Sequence, residues 1–248
     1  MSQSLISSAQ QAWRNLTGRP SPIWTEVRPR GLPALERSSL ELLFSDGAAL
    51  SRRGFNRNLA AAEGMSILSG TTERAFISRV APVAYKNFFK GRTNVEYAER
   101  IGDQLDIALE KLSDDPHSRQ AIMYIGRSTV ADDDPPCTES VQLLLRNGIL
   151  RLHVNMRSWD LYLGLPYDVA MWQIVAQALA YHRFGGIRSE VSFYCPAPHF
   201  YLRDLQKPPR DLMYTAIRVK WNPRKYSMED ALKVGIEDGR SPIEWRQW

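Results

Sequence analysis

The 248-residue chain carries two thiols, Cys137 and Cys195, and only one of them stands in a context that suggests chemistry. A lone cysteine is usually a small buried hydrophobe, and Cys195 carries nothing beyond that reading. Cys137 follows Pro135-Pro136, which fix the backbone ahead of it, and it opens a strand-like run. Asn147-Gly148 separates two such runs, Val141 to Arg146 and Ile149 to Arg157. That dipeptide closes a two-residue hairpin, because both central positions of the turn need positive φ. Pairing around it sets Arg146 opposite Ile149. Carried to the strand ends without a bulge, the register sets Cys137 opposite Ser158, with Arg157 beside them. One bulge would shift this. A guanidinium next to a thiol favours the thiolate, which is the nucleophilic form. Glu63 sits within Ala60-Ala61-Ala62-Glu63-Gly64, where small apolar neighbours favour a raised carboxyl pKa.

The elements that must hold these residues are legible in outline. Pro20 to Pro33 reads as loop, and Leu40 to Phe44 as a strand stopped by Asp46-Gly47. Asn58 to Leu68 reads as a helix capped by Asn58 and closed by Gly70. Asn94 to Leu112 reads as a second helix, with Ile101, Leu105, Ala108, Leu109 and Leu112 on one stripe. Gln120 to Ile125 is a short strand, and Asp132-Asp133-Asp134 before Pro135-Pro136 is a turn. After Gly164-Leu165-Pro166 a nearly all-apolar helix runs from Asp168 to Arg183 and stops at Gly185-Gly186. Such a helix is buried, and Asp168 at its start is favoured by the helix dipole. Val191 to Tyr194 and Tyr214 to Trp221 are further strands. Long helices mixed with hairpin-linked strands predict an α+β fold in a single domain over residues 1–248.

Composition narrows the class. With 44% hydrophobic and 24% charged residues the chain is neither disordered nor fibrous. It has no apolar stretch near the roughly 18 residues of a membrane span and no secretory start, and two distant cysteines fit a reducing compartment, so the expectation is cytoplasmic. The net charge of +5 is spread without a long basic run. That favours a solvated surface with one local anion site over a nucleic-acid stripe, so no nucleic-acid or membrane partner is expected.

Pro135-Pro136-Cys137, then Asn155-Met156-Arg157-Ser158-Trp159-Asp160, then Gly164-Leu165-Pro166-Tyr167-Asp168 resembles the active-site core of the thymidylate synthase superfamily. Asp114-Asp115-Pro116-His117-Ser118-Arg119 is similar to an upstream family segment, and His199-Phe200-Tyr201 to its His-x-Tyr sugar clamp. The resemblance covers about residues 27–205. It implies that fold, a mixed β-sheet with packed helices, and a homodimer through the sheet. Cys137 would add to pyrimidine C6, and C5 would then take a one-carbon unit from 5,10-methylenetetrahydrofolate. Glu63 would relay protons, and Tyr97 would join the hydrogen-bond network. Arg157 would hold the nucleotide phosphate and favour the thiolate, with Ser158 and Arg30 as further phosphate ligands. Arg119 would reach the partner's phosphate site. His199 and Tyr201 would face one side and bind the sugar, and Asp160 and Gly164 fall where the family contacts folate. No metal is implied.

Asp168 stands where thymidylate synthases carry asparagine, and this decides the expected base. Uracil offers an N3–H donor and an O4 acceptor, which an amide matches. Cytosine offers the reverse, and an aspartate can accept from its amino group while sharing a proton with N3. An amide there would leave buried donors unpaired, at about 1–3 kcal/mol each. With Thr138 after the nucleophile and Val154-Asn155-Met156-Arg157-Ser158, the pattern resembles the phage deoxycytidylate hydroxymethylases. Ser78 to Lys90 offers only Tyr85, Phe88 and Phe89 in place of the tryptophan pair that shields the methylene in many thymidylate synthases. The chain also ends at Trp248 without the family's usual tail. Both lean towards hydroxymethylation of dCMP. CMP hydroxymethylation, dCMP methylation and a catalytically silent nucleic-acid-binding protein are the alternatives.

Overall fold

The computed structural model describes residues 24–70, 77–78, 81–86, 97–126, 135–206, 214–222 and 243–247. In chain order these form β1 (Thr25–Val27), β2 (Ala34–Glu36), β3 (Leu40–Ser45), β4 (Ala48–Ser51), α1 (Arg57–Ser69), α2 (Tyr97–Ile101) and α3 (Gln104–Asp114). Then follow β5 (Ile122–Tyr124), β6 (Thr138–Arg146), β7 (Ile149–Met156), β8 (Trp159–Asp160), α4 (Gly164–His182), β9 (Arg188–Cys195) and β10 (Pro198–Tyr201). The last are α5 (Leu202–Leu205), β11 (Thr215–Trp221) and β12 (Ile243–Gln247). The predicted Asp132-Asp133-Asp134 turn, Phe88 and Phe89 lie outside the described residues.

The strands form a five-stranded sheet in the order β3-β9-β7-β6-β5, a four-stranded sheet β1-β2-β10-β8 and a three-stranded sheet β12-β11-β4. The larger sheet is mixed: β7 and β9 run parallel, joined by the crossover helix α4, and the other pairs are antiparallel. Its two faces differ along neighbouring rows. Leu42, Phe193, Val154, Val141 and Met123 pair in register and are all buried. One step along, Leu43, Ser192, His153, Gln142 and Ile122 pair in register on the opposite face and are mixed in polarity. The apolar row meets α4, which is enclosed almost all round and packs on β9, β4, β11 and α1. The α+β expectation holds.

Local chemistry explains the element ends, and corrects several. Asn147 and Gly148 adopt φ of 53° and 69°, so the hairpin turn forms as expected. Helix α1 is capped by Asn56 rather than Asn58: the Asn56 side chain accepts from the backbone N–H of Asn58 and Leu59 at 3.0 and 3.2 Å. The expected second helix is broken, because Gly102 takes φ 51° and ends α2 after Ile101. Helix α4 starts at Gly164, one turn earlier than predicted. Pro166 is tolerated in a first turn, where its missing N–H has no helical partner to lose. Asp168 is therefore inside the helix rather than at its N-terminus, and the dipole argument for it fails. Within the expected Pro20–Pro33 loop, Thr25–Val27 is a strand paired with β2. The Asp46-Gly47 corner is gripped by the buried Gln173 of α4, which accepts from Gly47 N at 3.0 Å and donates to Phe44 O at 3.1 Å.

Candidate active site

The hairpin brings its two ends together one residue out of the simple register. Pairing is regular from Arg146↔Ile149 to Ser140↔Asn155, then slips so that Thr138 faces Met156. The bulged residue is Glu139, whose carbonyl accepts from Ile125 N and Gly126 N at 2.8 and 2.9 Å. Cys137 consequently lies opposite Arg157, whose N–H donates to its carbonyl at 2.8 Å, rather than opposite Ser158. The adjacency survives: Cys137 Sγ is 3.8 Å from Ser158 Oγ. The Arg157 guanidinium clamps the preceding loop, Nε donating to Pro136 O at 3.1 Å and Nη2 to Pro135 O at 2.6 Å. Its Nη1 also points at Ser158 Oγ, at 3.5 Å. The dipeptide before the thiol is thus held rigid by the cation beside it.

Three ionisable groups from three helices converge on the same place. Tyr97 of α2 accepts from Thr138 Oγ1 at 3.2 Å and from Thr138 N at 3.4 Å, next to the thiol. Burial, then the Asp168 and Cys137 charges, push its phenol well above the usual range. Glu63 of α1 is pushed up to about 8 by burial and by Asp168. Asp168 of α4 is pushed up to about 7 by burial, opposed by a hydrogen bond from Trp159 and reinforced by Asp160. Two interacting carboxyl groups raised to near neutrality can hold and exchange a proton within this site. Cys195 senses Cys137 and Asp168, but burial pushes its thiol up to about 12, so it stays protonated and inert as expected.

Strand β10 closes another side. It runs parallel to β8 with His199 beside Asp160, and the His199 and Tyr201 rings meet edge-on at 5.0 Å. They share a side, as the alternation predicted. His199 is 8% exposed; Nδ1 faces Ala197 O at 3.2 Å, and Nε2 is buried without a hydrogen-bond partner among the described residues. Asp160 Oδ1 accepts from Tyr162 N and Leu163 N, both at 2.9 Å, just ahead of α4. Burial raises its pKa, and the His199 charge draws it back. Gly164 has a packing reason of its own: a Cβ there would meet Asp168 Oδ2 at 3.2 Å. Arg30 is exposed in the Pro29–Gly31 turn at φ 52°, and Arg119 is exposed in the loop after α3, its carbonyl accepting from Gln142 Nε2 at 2.8 Å.

The family profile for thymidylate synthase matches residues 15–226. The chain belongs to the thymidylate synthase family. A thymidylate synthase of Wigglesworthia glossinidia brevipalpis is 34% identical over 82 residues, covering 32% of this chain and 30% of that protein. One of Staphylococcus haemolyticus (strain JCSC1435) is 30% identical over 80 residues, covering 32% of this chain and 25% of that protein. The matched stretch thus spans less than a third of either relative's length. The crystal structure of thymidylate synthase from T4 phage superposes with a TM-score of 0.69 over 96% of this chain and 94% of that one, at 18% identity. The thymidylate synthase fold expected from the motifs is the fold observed.

Two contributors to this candidate site were missed from sequence. Trp159 Nε1 donates to Asp168 Oδ2 at 2.9 Å. A buried indole N–H needs a partner, which was the available signal. Tyr214 reaches back from the start of β11 to donate to the carbonyls of Leu161 and Tyr162, tying the loop before α4. Nothing local in the sequence marks that contact.

Proposed function

We propose that this family member hydroxymethylates C5 of deoxycytidylate, taking its one-carbon unit from 5,10-methylenetetrahydrofolate. The observation that carries the reading is Asp168: a half-buried carboxyl group, hydrogen-bonded by Trp159, with a near-neutral pKa, in the cluster that holds Cys137, Tyr97 and Glu63. Such a group can accept from the cytosine amino group and exchange a proton with N3, which gains basicity once C6 is attacked. Cys137 Sγ, as thiolate, forms the bond to C6 and leaves C5 electron-rich. Arg157 offsets the thiolate charge and, with Ser158, receives the nucleotide phosphate; Arg30 is a further phosphate ligand. Glu63 moves the proton that C5 must lose, with Tyr97 in the same network. His199 Nε2, buried and unpartnered among the described residues, matches a sugar hydroxyl, with Tyr201 at its side. 5,10-Methylenetetrahydrofolate supplies the carbon and leaves as tetrahydrofolate, and water supplies the hydroxyl group. The half-buried Asp160 suits the amino and N3–H donors of a pterin, and Gly164 leaves room beside it.

The mixed outer row of the five-stranded sheet, Leu43 to Ile122, is the face we assign to a second copy of the chain. Arg119 sits at its edge through the Gln142 bond, from where it would reach the partner's phosphate. The test is mass spectrometry of product formed from dCMP and from CMP side by side with methylenetetrahydrofolate. Added CH₂O from dCMP supports the proposal. Added CH₂ makes the protein a methyltransferase, and turnover of CMP alone makes it a ribonucleotide enzyme. Cys137→Ala that still exchanges C5 tritium at the wild-type rate would remove the nucleophile assignment.

A further inference from the structure

The Asp168 carboxyl group is not free to present either oxygen. Trp159 is 1% exposed, and its ring stacks on Phe193 with centroids 4.8 Å apart and planes at 23°. Its backbone is held in the ladder between β8 and β10, opposite Pro198. The indole N–H therefore has a fixed direction, and it points at Asp168 Oδ2 from 2.9 Å. On another side of the same oxygen lies Gly164, where a Cβ would sit 3.2 Å from Oδ2 and 3.8 Å from the Trp159 ring. Oδ2 is boxed between the indole and the glycine backbone.

An indole N–H can only donate, so Oδ2 must accept. This matters because a neutral carboxyl group has two forms. Its carbonyl oxygen accepts and its hydroxyl donates, in the same layout as the oxygen and NH₂ of an amide. With its proton free to sit on either oxygen, Asp168 would imitate asparagine in one form and read uracil, and would read cytosine in the other. We propose that Trp159 is a specificity-determining positioning residue, which fixes Oδ2 as the acceptor for the cytosine amino group and leaves the acid proton on Oδ1, facing N3. The uracil-reading form is then suppressed, because it would put the proton on the oxygen that the indole already addresses. When sulfur bonds to C6, the Oδ1–H bond breaks, the proton joins N3, and the electron pair remains on the carboxylate, where the indole N–H stabilises it. The near-neutral pKa of Asp168 keeps both forms within reach. Among the described residues, Glu63 of α1, Tyr97 of α2, Asp160 of β8 and Cys195 of β9 are the titratable groups that interact with it.

This inference rests on the cytosine-nucleotide reading above, and the experiment separates the two. Trp159→Phe removes the donor and keeps an aromatic ring on Phe193. Release of tritium from C5 of dCMP and of dUMP is measured on one preparation, and the ratio of the two specificity constants is compared with wild type. That ratio is independent of the fraction of folded enzyme. It is expected to fall about tenfold or more, the scale of a buried hydrogen bond to a charged group. The Asp168-linked limb of the dCMP pH profile moves up, since the charged form loses its donor. A benzothienylalanine placed at position 159, with sulfur in place of the N–H, keeps the ring shape should phenylalanine not fold, and the same changes are expected. An unchanged ratio, or equal losses on both bases with an unmoved pH profile, overturns the role of Trp159. Wild-type enzyme that exchanges neither nucleotide, or prefers dUMP, overturns the cytosine reading itself.

Discussion

Replacing Glu63 with glutamine should stabilise the protein in a pH-dependent way, and the size follows from the burial of the group. Its pKa is 4.5 when free and about 8 in the folded protein, raised by burial and by Asp168. One unit corresponds to about 1.4 kcal/mol, so at roughly pH 7 the cost of keeping this carboxyl group protonated in the fold is about 3 kcal/mol. The native state binds the proton more tightly than the unfolded state. Glu63 is therefore neutral to stability below the unfolded value, and stability falls as pH rises from 4.5 towards 8, where it levels off. Glu63→Gln abolishes that slope. A glutamine amide brings a constant offset of its own, so the informative quantity is the change of the difference with pH. Urea unfolding of wild type and variant, at steps across that range, reads it directly. The expected gain of the variant grows by about 3 kcal/mol between the acid end and neutrality. It grows less when Asp168→Asn is already present, because one cause of the raised pKa is gone. A difference that stays flat across the range would refute the assignment of Glu63 as a half-buried acid that is neutral at roughly pH 7. The same variant should lose C5 tritium exchange, since its amide can neither release nor regain the relayed proton.

Arg157→Lys replaces a planar fork by a point charge, and one ammonium group does not reproduce the bonds to two successive carbonyls. Its kcat/KM for exchange should fall about tenfold or more, measured with saturating folate cosubstrate. Gly164→Ala gains helix propensity but thrusts a methyl group at Asp168 Oδ2, so its unfolding free energy in urea should stay within about 1 kcal/mol of wild type while its preference for dCMP over dUMP drops. Gly47→Ala is expected to destabilise by about 3 kcal/mol or more, since its φ is +79° and a Cβ would lie 2.2 Å from Val219 O. Thermal unfolding checks it.

What the sequence made legible was local. The Asn147-Gly148 turn announced the hairpin, since few residues accept two positive φ values in a row, and the hairpin carried Cys137 to Arg157. The buried helix after Gly164 was evident from its unbroken apolar run. Its true start was not, because Pro166 looked like a boundary when it was a first-turn residue. Asn56 and Asn58 are equally good caps on paper, and the choice between them was made by the tertiary contact of Asn56 N with Tyr167 Oη at 3.0 Å. The convergence of Glu63, Tyr97 and Asp168 joins three helices far apart in the chain, which no spacing rule foresees. It was reachable only through the family pattern. Trp159 escaped even that, because its task is addressed to a neighbouring side chain and not to any motif position.

The bulge at Glu139 has a consequence for how this strand tolerates change. On the turn side of it, odd-numbered residues such as Val141 and Leu143 are interior; on the far side, even-numbered Pro136 and Thr138 take over. Strand β6 is therefore read in two parities, with Glu139 as the frame change between them. Conservative swaps within either half preserve the frame. Deleting this one exposed residue would join the halves into a single regular alternation, with Thr138 still facing Met156 and Cys137 still facing Arg157, and would remove the carbonyl to which Ile125 N and Gly126 N donate.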